Sequence, residues 1–125
     1  MTNLFLVGMG GFIGSVLRYL LNGYAQQITK DFPLGTLLVN VIGCFVIGFL
    51  SQIADEHGLL AEKTRVFMFV GVLGGFTTFS SFGNETLRLV RNDQLTSALV
   101  NVCANVLFGL FAVWLGYMLA TWLWR

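Results

Sequence analysis

Between positions 74 and 82 the chain reads Gly74-Gly75-Phe76-Thr77-Thr78-Phe79-Ser80-Ser81-Phe82. Two adjacent glycines followed by two β-branched threonines form helix poorly, and threonine hydroxyls can take backbone partners at a break. Unwinding here would free carbonyls, which hold cations, and would open a helix N-terminus, which favours anions. Phe79 and Phe82 are three apart and share one helix face. Aromatic rings carry an electropositive edge. Together with the Ser80 and Ser81 hydroxyls they make a donor set without fixed charge. Such a set can pass an anion without trapping it, since conduction requires weak, multiple sites. The plainer alternative is a continuous helix with back-bonded threonines and phenylalanines that only pack.

Other polar residues fall in apolar surroundings. Asn40, in Thr36-Leu37-Leu38-Val39-Asn40-Val41-Ile42-Gly43, offers two donors and one acceptor. Its plain role is an interhelical hydrogen bond, worth about 1 kcal/mol in a membrane. Ser97, Asn101 and Asn105 recur every four residues and form a polar stripe, which should face the bundle rather than lipid. Glu85 and Arg88 are three apart and can pair on a helix, or face a water-filled vestibule. Arg18 can snorkel, or raise the local anion concentration at such a vestibule.

The elements that position these residues follow from composition. Of 125 residues, 56% are hydrophobic and only 10% charged, and the mean hydropathy is +0.79. A soluble domain carries roughly 25% charged residues, and a small fold is mostly surface. A soluble globular protein is excluded. A net charge of +1 gives no basic face for nucleic acid. Four apolar stretches, about 4–24, 34–54, 65–90 and 97–124, each meet the roughly 20 residues a spanning helix needs. They consume the chain, so 1–125 reads as a single all-α transmembrane domain with the third helix broken near its middle. The first stretch lacks a preceding basic segment and contains Arg18, which argues against a secretory signal. Trp114, Tyr117, Trp122 and Trp124 lie towards the end of the last span, and the last of these aromatics, with Arg125, read as an interfacial belt with a snorkelling cation.

Several motifs dissolve on inspection. The run Gly8-Met9-Gly10-Gly11-Phe12-Ile13-Gly14 has Ile13 where a dinucleotide fingerprint needs glycine. Gly10 with Gly14, and Gly71 with Gly75, instead make GxxxG steps for close helix packing, with Gly43, Gly48, Gly109 and Gly116 in similar roles. Cys44 and Cys103 lie in apolar runs and read as buried thiols rather than a disulfide or zinc site. His57, the only histidine, falls in a loop, so Ser80 and Ser81 lack a base for protease chemistry.

Charge distribution bears on orientation. Four spans place both termini and the 55–64 connection on one side, with Lys63, Arg65 and Arg125. Lys30, Arg88 and Arg91 lie opposite, with Arg18 towards that end of its helix. Orientation is set by an excess of Lys and Arg on the cytoplasmic side. With almost no excess, two readings stand: one orientation set weakly by Arg18, or dual topology, with two oppositely inserted copies forming an antiparallel homodimer, the two-chain counterpart of a transporter's inverted repeat.

The segments Gly74–Phe82, Gly35–Gly43 and Gly11-Phe12-Ile13-Gly14-Ser15-Val16-Leu17-Arg18-Tyr19 together resemble the Fluc/CrcB fluoride channels. The resemblance covers the whole chain, including its length and span order. It implies a dual-topology homodimer with two antiparallel pores that passively exports cytoplasmic fluoride across the bacterial inner membrane, with no enzymatic activity. It further implies that Phe79 and Phe82 line each pore as a phenylalanine box and that Asn40 is a pore-lining amide, with Ser80 and Ser81 beside them. Arg18 would stand near the aqueous vestibule, and Glu85 would end the polar track. The backbone carbonyls of Gly74 and Thr77 from both copies would hold a structural sodium ion (Na+) at the dimer centre. The fourth span departs from the pattern: Asn101 and Asn105 stand where hydroxyls are often found. The alternative, a proton-coupled small multidrug-type exporter, requires a carboxylate in the first span, where Arg18 is the only charge.

Overall fold

The computed structural model describes residues 1–56, 58 and 60–124. His57 and Arg125, read above as a loop residue and a closing cation, lie outside the described residues. Helix α1 runs over Thr2–Gln26, α2 over Leu34–Glu56 and α6 over Leu95–Leu123. The third span, Glu62–Arg91, is composite. It begins as α3 (Glu62–Arg65), widens into a π-helical stretch (Val66–Leu73), tightens into α4 (Gly74–Phe76) and resumes as α5 (Phe79–Arg91). Four helical segments are thus long and apolar enough to cross a membrane, and the described residues contain no strand.

Packing is built on small residues. α6 turns Ala98, Asn101, Ala104, Gly109, Ala112, Gly116 and Ala120 inward at helical spacing, and its main partner is α2. Gly48 sits on the backbone of Val113, and Gly116 on that of Phe45 and Phe49. α1 packs on the π-helical stretch and α4. A methyl on Gly10 would lie 2.9 Å from the Gly71 Cα, so the two GxxxG steps face one another. Gly109 is looser, its nearest neighbour being the Cys44 Sγ at 3.5 Å from an added Cβ. The large apolar residues point outward: Phe5, Phe12, Leu107 and Leu110 are each more than 60% exposed in the single chain. Small residues inside and large ones outside is the arrangement expected when the solvent is lipid. The same inversion corrects the reading of the cysteines. Cys44 is half-buried and Cys103 exposed, both free, because an apolar run does not distinguish a lipid face from a protein face.

The third span breaks over two residues. Thr77 (φ −81°, ψ 159°) and Thr78 (φ −153°, ψ 120°) are extended between helical neighbours. The glycine pair before them stays helical. Gly75 serves closeness instead, since a Cβ there would come within 2.6 Å of the Gly11 carbonyl oxygen. Thr77 turns its Oγ1 back to donate to the Leu73 carbonyl at 2.9 Å, while Thr78 Oγ1 accepts the Ser81 N–H at 3.2 Å. That contact is a helix N-cap, and it lets α5 restart within the membrane.

Candidate functional site

The break opens a cleft of about 460 Å³ between α2, the third span and α6. Asn40, Gly74, Thr77, Thr78, Phe79, Phe82 and Asn105 all line it, among apolar neighbours such as Ile47 and Phe69. No charged residue among those described does. The Phe79 and Phe82 rings stand 5.4 Å apart, tilted by 55°. Phe79 is 82% exposed in the single chain.

Asn40 repairs the break. Its Oδ1 accepts the Thr78 N–H at 3.0 Å, and its Nδ2 donates to the Thr78 carbonyl at 3.2 Å. An extended residue at bilayer depth has no helical partner for these groups, and each would be costly if left unmet. A second Asn40 N–H goes to Asn105 Oδ1 at 3.0 Å. Asn105 Nδ2 reaches Asn101, donating to its carbonyl at 3.0 Å and its Oδ1 at 3.1 Å. Asn101, wholly buried, donates from Nδ2 to Thr86 Oγ1 at 3.0 Å. Thr86 donates in turn to the Phe82 carbonyl at 2.8 Å. One chain of amides and hydroxyls therefore runs from the break to the second phenylalanine. Ser97, the third member of the anticipated stripe, makes no side-chain hydrogen bond among the described residues.

The remaining anticipated residues are dispersed. Ser80 is exposed, its Oγ 3.3 Å from Thr78 Oγ1, and Ser81 Oγ accepts from the same hydroxyl at 3.2 Å. Neither lines the cleft. Arg18 lies at the break, with Nη1 donating to the Thr77 carbonyl at 3.4 Å. Glu85 belongs to a second cavity of about 470 Å³, with Lys30, Asp31, Arg88 and Asn92. It accepts the Thr36 hydroxyl at 2.7 Å, and its Oε2 is buried without a partner. Among the described residues the one ion pair is Arg65 with Asp55, at 3.2 Å, so Glu85 and Arg88 do not bridge. Thr36 and Thr86 are the contributors that sequence reasoning passed over. The available signal was Thr86 four residues after Phe82, the spacing at which a hydroxyl reaches back to a carbonyl.

Among the described residues no three His, Cys, Asp or Glu side chains gather to hold a metal. A cation here would need neutral oxygens. The Thr77 carbonyl lies outside the helical ladder and already draws a positive partner in Arg18.

The family model described as CrcB-like protein, Camphor Resistance (CrcB), matches residues 5–117. The chain belongs to the CrcB family. Three relatives show how much of the chain is shared. "Fluoride-specific ion channel FluC" of Elusimicrobium minutum is 50% identical over 117 residues, covering 90% of this chain and 89% of the relative. "Fluoride-specific ion channel FluC 1" of Methanosarcina acetivorans is 46% identical, covering 93% and 88%. "Fluoride-specific ion channel FluC" of Methylobacillus flagellatus is 43% identical, covering 95% and 94%. A CrcB family chain with four membrane-length apolar helices is a multi-pass membrane protein.

Proposed function

We propose that this chain is a fluoride-selective channel that lets cytoplasmic fluoride leave passively across the bacterial inner membrane. One observation carries the reading: an uncharged cleft at a break in the third span, lined by two asparagine amides and two phenylalanine rings. Its relatives, named as fluoride-specific channels, support it. Fluoride is a small, strong acceptor. Close neutral donors and ring edges discriminate for it over larger anions while leaving it free to move on. No acid lies on α1, so the carboxylate a proton-coupled exporter requires is missing from that helix.

The functional unit in this reading is an antiparallel homodimer with two pores. The even distribution of Lys and Arg supports it, as does exposure at the break. Gly74, Phe79 and Ser80 are uncovered in one chain, and a serine hydroxyl facing lipid tails is unfavourable. A structural sodium ion would sit between the Gly74 and Thr77 carbonyls of both copies, neutralising the freed oxygens at the dimer centre. Two cations on one carbonyl repel, so sodium there requires Arg18 to withdraw from Thr77.

The purified protein in liposomes tests this directly. Fluoride should pass down its gradient without a proton gradient, chloride should be excluded, and flux should need sodium without following a sodium gradient. Equal chloride flux, or strict coupling to protons, refutes the channel reading. Flux unaffected by removing sodium refutes the ion site alone.

A further inference from the structure

The hydrogen-bonded chain through the cleft has a defined direction. The Thr86 hydroxyl has one hydrogen, which the Phe82 carbonyl takes, so Thr86 Oγ1 can only accept from Asn101. Asn101 Oδ1 is thereby turned to Asn105, which must meet it with Nδ2. At the other end the Thr78 N–H can be met only by an oxygen, so Asn40 Oδ1 is turned to it and Nδ2 faces the Thr78 carbonyl and Asn105. Both ends independently require Asn105 to present Oδ1 to Asn40 Nδ2. Asn40 then has both amide hydrogens engaged, one by Thr78 and one by Asn105. No free donor remains on it for an ion.

We propose that Asn105 determines selectivity: its Oδ1 is a resident acceptor on Asn40 that the permeating anion must displace. The inference rests on the fluoride-channel reading. Asn40, Thr78 and Asn105 all line the cleft. The two Thr78 contacts satisfy backbone groups of the break, whereas the Asn105 bond joins two side chains and can be given up to an ion without unmaking the break. A hydrogen bond to an ionised acceptor is roughly twice as strong as a neutral one. Fluoride concentrates its charge on the smallest halide and so displaces a neutral amide oxygen. Chloride, with the same charge on a larger ion, competes less well. Asn105 thus sets a threshold of acceptor strength for entry.

The test uses the full chain in liposomes and reads fluoride and chloride flux side by side. The parent must pass fluoride and exclude chloride; if it does not, the channel reading has failed rather than this one. Asn105→Leu keeps the shape of the side chain and removes the competing oxygen, so the fluoride-to-chloride ratio should fall at least threefold. Asn105→Ala should act in the same direction. Asn105→Asp keeps an oxygen on Asn40 and adds negative charge an anion cannot readily displace, so fluoride flux should fall at least threefold below the parent. A ratio changed less than threefold in every folded Leu or Ala variant, or parent-level flux in Asn105→Asp, overturns the proposal. Failure of both Leu and Ala variants to fold overturns it too, by making Asn105 a structural residue.

Discussion

Removing the Asn40 amide while keeping its bulk, as Asn40→Leu, should unfasten the break in the third span. The side chain makes three hydrogen bonds, to the Thr78 N–H, the Thr78 carbonyl and Asn105. A membrane side-chain hydrogen bond is worth about 0.6–1 kcal/mol, so three amount to about 2–3 kcal/mol. The Thr78 N–H has no helical acceptor after the substitution, and a buried unmet donor adds about 1–3 kcal/mol. Relaxation offsets part of that, leaving an expected loss of about 3 kcal/mol. At about 1.4 kcal/mol per factor of ten, the folded-to-unfolded ratio falls about 100-fold. A reversible unfolding titration in mixed detergent micelles measures this, and hydrogen exchange at the Thr78 amide should accelerate selectively. Asn105→Leu removes only one of Asn40's three bonds and leaves both Thr78 contacts in place, so exchange at the Thr78 amide should change little. If Asn40→Leu changes stability by under about 0.5 kcal/mol and Thr78 exchange is unaltered, the amide is not what holds the break, and the argument from hydrogen-bond counting fails.

Other consequences are independent of that bond. Gly14→Ala places a methyl against the Val72 carbonyl and 2.7 Å from the Phe76 nitrogen, so α1 must back away; overpacking predicts a loss of about 1–3 kcal/mol in the same titration, and Gly8→Ala, with open space around it, should be neutral or nearly so. Phe79→Ile and Phe82→Ile keep apolar bulk but remove the ring edges, so fluoride flux should drop at least tenfold with the assembled species unchanged on size exclusion; parent-level flux in both returns the rings to packing. Single cysteines introduced at Asp31 and at Gly58, on a background lacking Cys44 and Cys103, should each label from both faces of the membrane if insertion is dual. Labelling confined to one face at each site removes the antiparallel dimer.

How far the sequence discloses this architecture depends on which physical signal each part uses. The spans were legible because burying a backbone in lipid demands some 20 apolar residues in a row. The interruption was legible in Thr77 and Thr78, but its placement was drawn too broadly. Glycine is ambiguous between unwinding and closeness, and only the neighbour settles it: Gly75 meets Gly11, so it stays helical. The Phe79–Phe82 pair followed from helical spacing. The involvement of Asn40 was visible, but its fastening to Thr78 was not, because it joins residues 38 apart in sequence. Thr36 was hidden for the same reason, its partner Glu85 lying on another span. Glu85 and Arg88 illustrate the opposite failure. Three-residue spacing suggests a pair, yet a hydroxyl from α2 takes the carboxylate instead.

The π-helical stretch left no trace in the periodicity, and it bears on how this chain tolerates changes of length. Each of its closures spans one residue more than an α-turn, so Val66–Leu73 holds slack in the covalent chain. Losing one residue between Val66 and Val70 can be absorbed by tightening to α, leaving everything from Gly71 onward seated against α1, α2 and α6. The same deletion between Phe79 and Asn84 has no such reserve. It would rotate all following side chains by about 100°, taking Glu85 from Thr36 and Thr86 from Asn101. A series of one-residue deletions scored by flux should therefore find a tolerant window between Val66 and Val70 and none between Phe79 and Asn84.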